Sequence, residues 1–131
     1  MFVDASALTA ILIREVDADE FVARLEQARS RTTSPLAIWE TATAVSRALG
    51  MSPDTACQAV IDYLAVADIR MVAVAPETAM LAMNAFGRYG KGRHKVGLNF
   101  GDCFAYACAR HLGVPLLYKG GDFALTDIEP A

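Results

Sequence analysis

Leu98-Asn99-Phe100-Gly101-Asp102-Cys103-Phe104-Ala105-Tyr106-Ala107-Cys108-Ala109-Arg110-His111-Leu112-Gly113-Val114-Pro115-Leu116-Leu117-Tyr118 reads as a buried helix followed directly by a buried strand. Gly101 precedes the helix in this reading, and Gly113 ends it. Between Lys95 and Arg110 every side chain is uncharged except Asp102. An ionised carboxylate taken out of water without a partner is costly, so something must compensate it. Two compensations are open. The start of the helix supplies free N–H groups and the macrodipole, worth roughly 0.3–1 kcal/mol. The alternative is a cation shared with other carboxylates, and that requires companions elsewhere in the chain.

Working outward, the same isolation of an acid recurs. Met1-Phe2-Val3-Asp4 is an apolar run that reads as a buried strand, with Asp4 at its C-terminal end, where open α/β sheets place their ligand sites. Ala5 to Ile13 then turns helical, with Ser6 as the expected N-cap, although Asp4 as a cap is equally compatible with the pattern. Asp17 to Arg29 carries Phe21, Val22, Leu25 and Ala28 at helical spacing, and its charges read as a solvated face. Arg31-Thr32-Thr33 is β-like, and Ser34-Pro35 opens a helix that runs to Leu49 and closes at Gly50. Within that helix Glu40 is the only charge between Arg31 and Arg47. Ser52-Pro53 starts a helix to Ala67, Met71 to Val74 reads as a strand, and Pro76 opens a helix whose Met80, Leu81, Met83 and Phe86 read as core filling. Val114 to Tyr118 is a strand, Lys119-Gly120-Gly121-Asp122-Phe123 a turn beyond its C-terminal end, and Thr126 to Ile128 a final short edge strand. Strands alternating with helices predict an α/β fold with three layers, α/β/α, around a central parallel sheet.

A chain of 131 residues predicts one domain spanning residues 1–131, and a hydrophobic share of 54% excludes disorder. The net charge of −3 means that nucleic-acid binding has to come from a local basic patch. Cys57, Cys103 and Cys108 are odd in number, lie in apolar helical contexts and lack CxxC spacing, which points to reduced core thiols and away from zinc. No stretch is long and apolar enough for a membrane span, and Asp4 stands where a signal peptide carries basic residues, so a cytoplasmic protein with no membrane partner is expected.

The chemical signal is the set Asp4, Glu40, Asp102 and Asp122. Like charges brought together raise one another's pKa, and a divalent cation resolves the conflict. Oxygen ligands without His or Cys suit Mg²⁺ or Mn²⁺, which work with substrate phosphates, so the implied reaction class is metal-dependent phosphoryl hydrolysis. Ser6, two residues after Asp4, is placed as a hydroxyl that orients a ligand or water. Gly87 to Lys95 is the only basic cluster, a glycine-rich loop whose Lys91, Arg93 and Lys95 are candidate RNA phosphate contacts or a solvated connection. His94, without a visible acid partner, and the cysteines, without an adjacent base, are poor catalytic candidates. No P-loop, GxGxxG or GxSxG motif competes.

These residues resemble a known family, the PIN-domain ribonucleases of the VapC type, toxins of bacterial type II toxin–antitoxin systems. The likeness covers nearly the whole chain. It begins with Met1-Phe2-Val3-Asp4-Ala5-Ser6-Ala7-Leu8, continues in Ser34-Pro35-Leu36-Ala37-Ile38-Trp39-Glu40 and is strongest in Asn99-Phe100-Gly101-Asp102-Cys103-Phe104-Ala105-Tyr106-Ala107. It closes with Leu116 to Ile128. The resemblance implies a PIN-like fold and an Mg²⁺- or Mn²⁺-dependent endoribonuclease. Asp4 and Asp102 are then the main metal ligands, Glu40 a further ligand or water-orienting acid, and Asp122 the more variable fourth acid. Gly121 departs from the pattern, standing where relatives often carry Asp or Asn. The resemblance further implies a homodimer, and a heterotetramer or larger assembly with a small cognate antitoxin that inserts a segment near the acidic pocket. Two other readings of the same residues are a catalytically inactive PIN-like binding module and a metal-dependent nuclease acting on DNA.

Overall fold

Phe2-Val3 and Leu116-Leu117 form the centre of the structure, a computed structural model that describes residues 1–131. The two segments are parallel strands, β1 (Phe2–Val3) and β4 (Leu116–Leu117), paired Phe2 to Leu116 and Val3 to Leu117. All four residues are fully buried. Because successive side chains of a strand point to opposite faces, Phe2 and Leu116 enter one core while Val3 and Leu117 enter another. The sheet is completed by β2 (Arg31–Thr33) and β3 (Ile69–Met71) in the order β3-β2-β1-β4, all parallel.

On one side of the sheet lie α1 (Ala5–Leu12), α2 (Ala18–Gln27), α3 (Pro35–Leu49) and α4 (Pro53–Val66). Their apolar faces, including Leu8, Phe21, Ile38 and Val60, enclose the core under Val3 and Leu117. On the other side α5 (Thr78–Tyr89) and α6 (Phe100–Leu112) pack over Phe2 and Leu116. A short 3-10 turn, Phe123–Leu125, adds Phe123 to that core. This is the expected three-layer α/β/α arrangement around a parallel sheet. Successive connections carry the chain from β1 to β2 to β3 in one direction, and β4 then takes the other side of β1. The sheet therefore reverses direction between β1 and β4, and ligand sites of such sheets lie beyond the strand ends at that reversal.

Several boundaries differ from the sequence reading. The third strand is Ile69–Met71, not Met71 to Val74. Asp68 takes a left-handed turn at φ 51, which starts the strand directly after α4, and pairing with β2 stops where β2 stops. Val72 and Val74 instead pack partly buried on the α5/α6 core. Met80 and Met83 are not core filling: they are 67% and 62% exposed. The buried face of α5 is Thr78, Ala82, Ala85 and Tyr89, and the small alanines let α6 pack close on that face. Cys57 is exposed, unlike the buried free thiols Cys103 and Cys108. Gly87 and Arg88 belong to α5, so the basic loop is shorter than expected. Thr126 to Ile128 is not a strand. The chain end pairs one step later, where Leu116 donates to the Glu129 carbonyl (2.9 Å) and Ala131 to the Leu116 carbonyl (3.0 Å). Asp127 is engaged elsewhere, accepting from Tyr106 Oη (2.7 Å), Tyr89 Oη (3.2 Å) and Arg88 Nη1 (3.1 Å). Those bonds hold the Asp127 carboxyl down at about 2.

The Asp127 cluster joins the C-terminal segment to α5 and α6. Tyr106→Phe and Asp127→Asn are each expected to destabilise by about 1 kcal/mol, the net value of one such hydrogen bond, in urea unfolding. Because the groups act together, the double variant should lose less stability than the sum of the two single variants. Full additivity would show that the bonds are independent.

Candidate active site

Asp4 leaves β1 at the reversal point, and its N–H donates to the Leu117 carbonyl at 2.9 Å. Its side chain is the N-cap of α1: Oδ2 accepts from Ser6 N–H at 2.9 Å and from Ser6 Oγ at 2.5 Å. Ser6 is thus not the cap that the sequence suggested. It is the residue that holds the cap, and its Oγ also accepts from Lys119 N–H at 2.9 Å, just past β4. The Lys119 ammonium pairs with Glu15 and, at 2.8 Å, with Asp17, which fastens the α1–α2 connection to the same edge of the sheet. Asp4 is only 4% exposed. Burial pushes its carboxyl upward against the opposing pull of the Ser6 bonds.

Asp102 is the third residue of α6, and its Oδ2 accepts from the N–H of the N-cap Asn99 at 2.8 Å. Asn99 Oδ1 accepts in return from Asp102 N–H at 3.0 Å, which completes a capping box. Gly101 therefore lies inside the helix and not before it. Its lack of a side chain makes room for Glu40, because a Cβ at Gly101 would fall 1.8 Å from Glu40 Oε1. Glu40 is half-buried on α3. No hydrogen bond offsets its charge: burial first, then the charges of Asp4 and Asp102, push its carboxyl up to about 7. Burial first, then the charges of Asp4 and Asp122, push Asp102 up to about 6 against the Asn99 bond.

The structure thus brings Glu40 within electrostatic reach of Asp4 and Asp102, and Asp102 within reach of Asp4 and of the exposed Asp122. Helix capping, the first of the two compensations, operates at both Asp4 and Asp102, and the charge of Asp4 still acts on Asp102. Lys91, Arg93 and Lys95 are exposed on the loop after α5, and none pairs with a carboxylate. Arg93 lies over the Phe86 ring, 5.3 Å from its centroid. His94 is a local structural residue, its Nδ1 accepting from Val96 N–H at 3.2 Å. Burial pushes the Cys103 and Cys108 thiols up to about 11, which removes them as nucleophiles. The sequence reading missed the parts played by Asn99, Gly101 and Lys119. Asn99, three residues before Asp102, carried a readable capping signal; Gly101 and Lys119 act through partners distant in the chain.

The PIN domain profile matches residues 1–129 of the chain. A ribonuclease VapC of Mycolicibacterium smegmatis is 41% identical over 128 residues, which cover 98% of this chain and 97% of the relative. Ribonuclease VapC30 of Mycobacterium tuberculosis is also 41% identical, covering 98% and 95%, and a VapC ribonuclease of Rhizobium meliloti is 34% identical, covering 97% and 98%. The crystal structure of Mycobacterium tuberculosis VapC20, a sarcin-ricin loop cleaving toxin, superposes with a TM-score of 0.78 at 20% identity, covering 99% of this chain and 97% of that one. The chain belongs to the PIN-domain family, among its VapC ribonucleases.

A divalent cation suits these residues. The donors are hard carboxylate oxygens, Glu40 lacks any compensating bond, and Gly101 leaves the space in which its carboxylate lies. As the side chains lie, no three of the acids form a group that could hold a metal ion, so a bound cation would need at least one of them to turn toward it and would keep several waters.

The raised carboxyls fix the sign of a pH effect. Glu40 at about 7 and Asp102 at about 6 lie above their ordinary values of 4.5 and 3.8, so the folded state binds more protons than the unfolded state between those limits. Metal-free protein should therefore lose stability as pH rises from about 4 to 7. Asp127, lowered from 3.8 to about 2, acts in the opposite sense and only below that window. Thermal melts in chelator should show the decline, and Glu40→Gln should flatten it; a wild-type profile that is flat or rises would refute the raised carboxyls. Gly101→Ala should leave the melting temperature nearly unchanged, since Glu40 can swing aside, while lowering divalent-cation affinity measured by calorimetry. Unchanged affinity would show that the position of Glu40 is irrelevant to the ion.

Proposed function

We propose that the chain is a divalent-cation-dependent endoribonuclease, the toxin of a type II toxin–antitoxin module, acting through Asp4, Glu40, Asp102 and Asp122. The observation that carries this reading is Glu40: a half-buried carboxylate without a hydrogen bond, pushed to about 7 by burial and by two further acids. Membership among the VapC ribonucleases supports RNA as the substrate and a cognate antitoxin as the partner. Residues 1–131 are read as a single PIN domain. No helix is long and apolar enough to cross a membrane, and we place the protein in the cytoplasm.

Asp4 and Asp102 are the direct ligands of Mg²⁺ or Mn²⁺ in this proposal, with Glu40 as a further ligand or water-orienting acid and Asp122 at the rim. Held by these carboxylates, a divalent cation would lower the pKa of a water and would stabilise the leaving oxygen of the phosphodiester. The chain's own residues do the positioning. Ser6 fixes the Asp4 carboxylate in one orientation, and the Asn99 capping box does the same for Asp102. Lys91, Arg93 and Lys95 hold RNA phosphates, in competition with salt. The protein is further proposed to be a homodimer that the antitoxin completes to a heterotetramer or larger assembly.

The test is incubation of purified, antitoxin-free protein with one defined RNA and the DNA of the same sequence, in Mg²⁺, in Mn²⁺ and in EDTA. Cleavage of RNA that stops in EDTA is expected. Ser6→Ala should lower the rate by roughly 10–100-fold, as loss of a ligand-orienting partner does, and Asp4→Asn or Asp102→Asn by more. Neutralising Lys91, Arg93 and Lys95 should flatten the salt dependence of RNA affinity, by about 0.7 in log–log slope for each phosphate that no longer meets a cation. Full activity of Asp4→Asn or Asp102→Asn would end the catalytic assignment. Preferential cleavage of the DNA would move the substrate to DNA, and cleavage of neither would favour the inactive binding module.

A further inference from the structure

We propose that Trp39 and Phe100 form a stacking platform for an RNA base beside the carboxylate site, an inference that rests on the ribonuclease reading above. Trp39 is 68% exposed and Phe100 67%, although both rings are large enough to be strong candidates for a core. Trp39 lies on α3 outside its buried stripe of Ala37, Ile38, Thr41, Ala42 and Val45. Phe100 is the first residue of α6, and its ring is backed by Phe104, with centroids 4.8 Å apart and planes at 50°. The two rings line one open cleft of about 380 Å³, together with Glu40, Arg47, Asn99 and Gly101.

Glu40 lines this cleft and also feels the charges of Asp4 and Asp102, and Gly101, which makes room for it, lines the cleft too, so the cleft adjoins the carboxylate cluster on its Glu40 side. A single strand whose phosphate reaches the carboxylates from the Glu40 side lays an adjoining nucleotide in the cleft. The cleft is furnished for one. Aromatic faces stack on any base, which binds without selecting sequence. Asn99 Oδ1 is committed to Asp102 N–H, but its amide Nδ2 makes no bond within the chain and is available to a base edge. Arg47 is exposed, makes no ion pair and lines the same cleft as the two rings, so a cation is available there for a phosphate or a base face. The pocket between α5 and α6, lined by Ala79, Ala82, Met83, Phe86, Cys103 and Phe104 with Phe100, differs in kind: it has no polar side chain and offers a base edge nothing.

Trp39 is the only tryptophan, so its emission reports the platform directly. The experiment titrates the full chain in EDTA with a short single-stranded RNA, following Trp39 fluorescence, and with the same RNA end-labelled, following anisotropy. The expected result is quenching whose midpoint matches the anisotropy curve. Trp39→Ala and Phe100→Ala should each weaken RNA binding by roughly tenfold or more, Trp39→Phe should retain most of the affinity, and KM should rise more than kcat falls in the metal-loaded assay. Circular dichroism of each variant separates these effects from misfolding, and Phe100→Leu, which keeps the apolar packing on Phe104 but not the aromatic face, should also bind weakly. RNA that binds with Trp39 emission and Trp39→Ala affinity unchanged overturns the platform and leaves the ribonuclease reading standing. Emission that follows protein concentration and not RNA assigns the two rings to an interface between copies and likewise overturns it. RNA neither bound nor cleaved overturns the ribonuclease reading, and the platform with it.

Discussion

Mutual repulsion among carboxylates held on a rigid frame is the constraint on which the rest of this structure turns. Asp4, Glu40 and Asp102 come from three separate elements; Glu40 feels the charges of Asp4 and Asp102, and Asp102 that of Asp4. Left free, such side chains would rotate apart into water. Here two of them cannot, because the bonds that orient them are the caps of the helices carrying them: Ser6 on Asp4, Asn99 on Asp102. The third, Glu40, is set over the one backbone position without a Cβ that can receive it. The fold thus stores an electrostatic cost that a hard dication would relieve, and the same caps that stabilise α1 and α6 fix the orientation of the two carboxylates proposed as its ligands.

The frame that imposes this is short. Strands of only two residues, Phe2–Val3 and Leu116–Leu117, separate the two cores, and their alternating side chains commit one residue to each. Sheet order places Asp4 at the reversal between β1 and β4, the Ser6–Lys119 bond locks that edge, and the Lys119 ion pairs with Glu15 and Asp17 hold the following connection. The α5/α6 layer is stapled from the far side by Asp127, whose bonds to Tyr89, Tyr106 and Arg88 reach across the C-terminal segment. Charge is therefore used in two ways: paired and hydrogen-bonded at Asp127, uncompensated at Glu40.

The isolation of Asp4, Glu40 and Asp102 in apolar runs is legible in the sequence because a charge inside a buried element is rare and demands a partner. The helix from Pro35 to Leu49 is legible to the residue, since Ser34, Pro35 and Gly50 are local signals. Legibility fails where tertiary context decides. Met71 to Val74 is the more β-branched run after α4, yet β2 sets the register and stops the strand at Met71. Met80 and Met83 have the spacing of a core face, but the close approach of α5 and α6 selects the alanines. Gly101 has the local look of a helix boundary, and its use is to admit a residue 61 positions away in sequence, Glu40, which no local pattern encodes. Trp39 and Phe100 carry no signal of their own beside the acids, because exposure of an apolar ring is invisible without its neighbours.

In the proposed mechanism the separated acids converge on one cation. The most direct measurement is anomalous diffraction from crystals of the metal-free protein soaked in Mn²⁺ near neutral pH. A strong peak bonded directly to carboxylate oxygens of both Asp4 and Asp102 is expected, with Glu40 turned toward it or toward its bound water. A peak bound elsewhere on the chain, or none between Asp4 and Asp102 at concentrations that support cleavage, would contradict it.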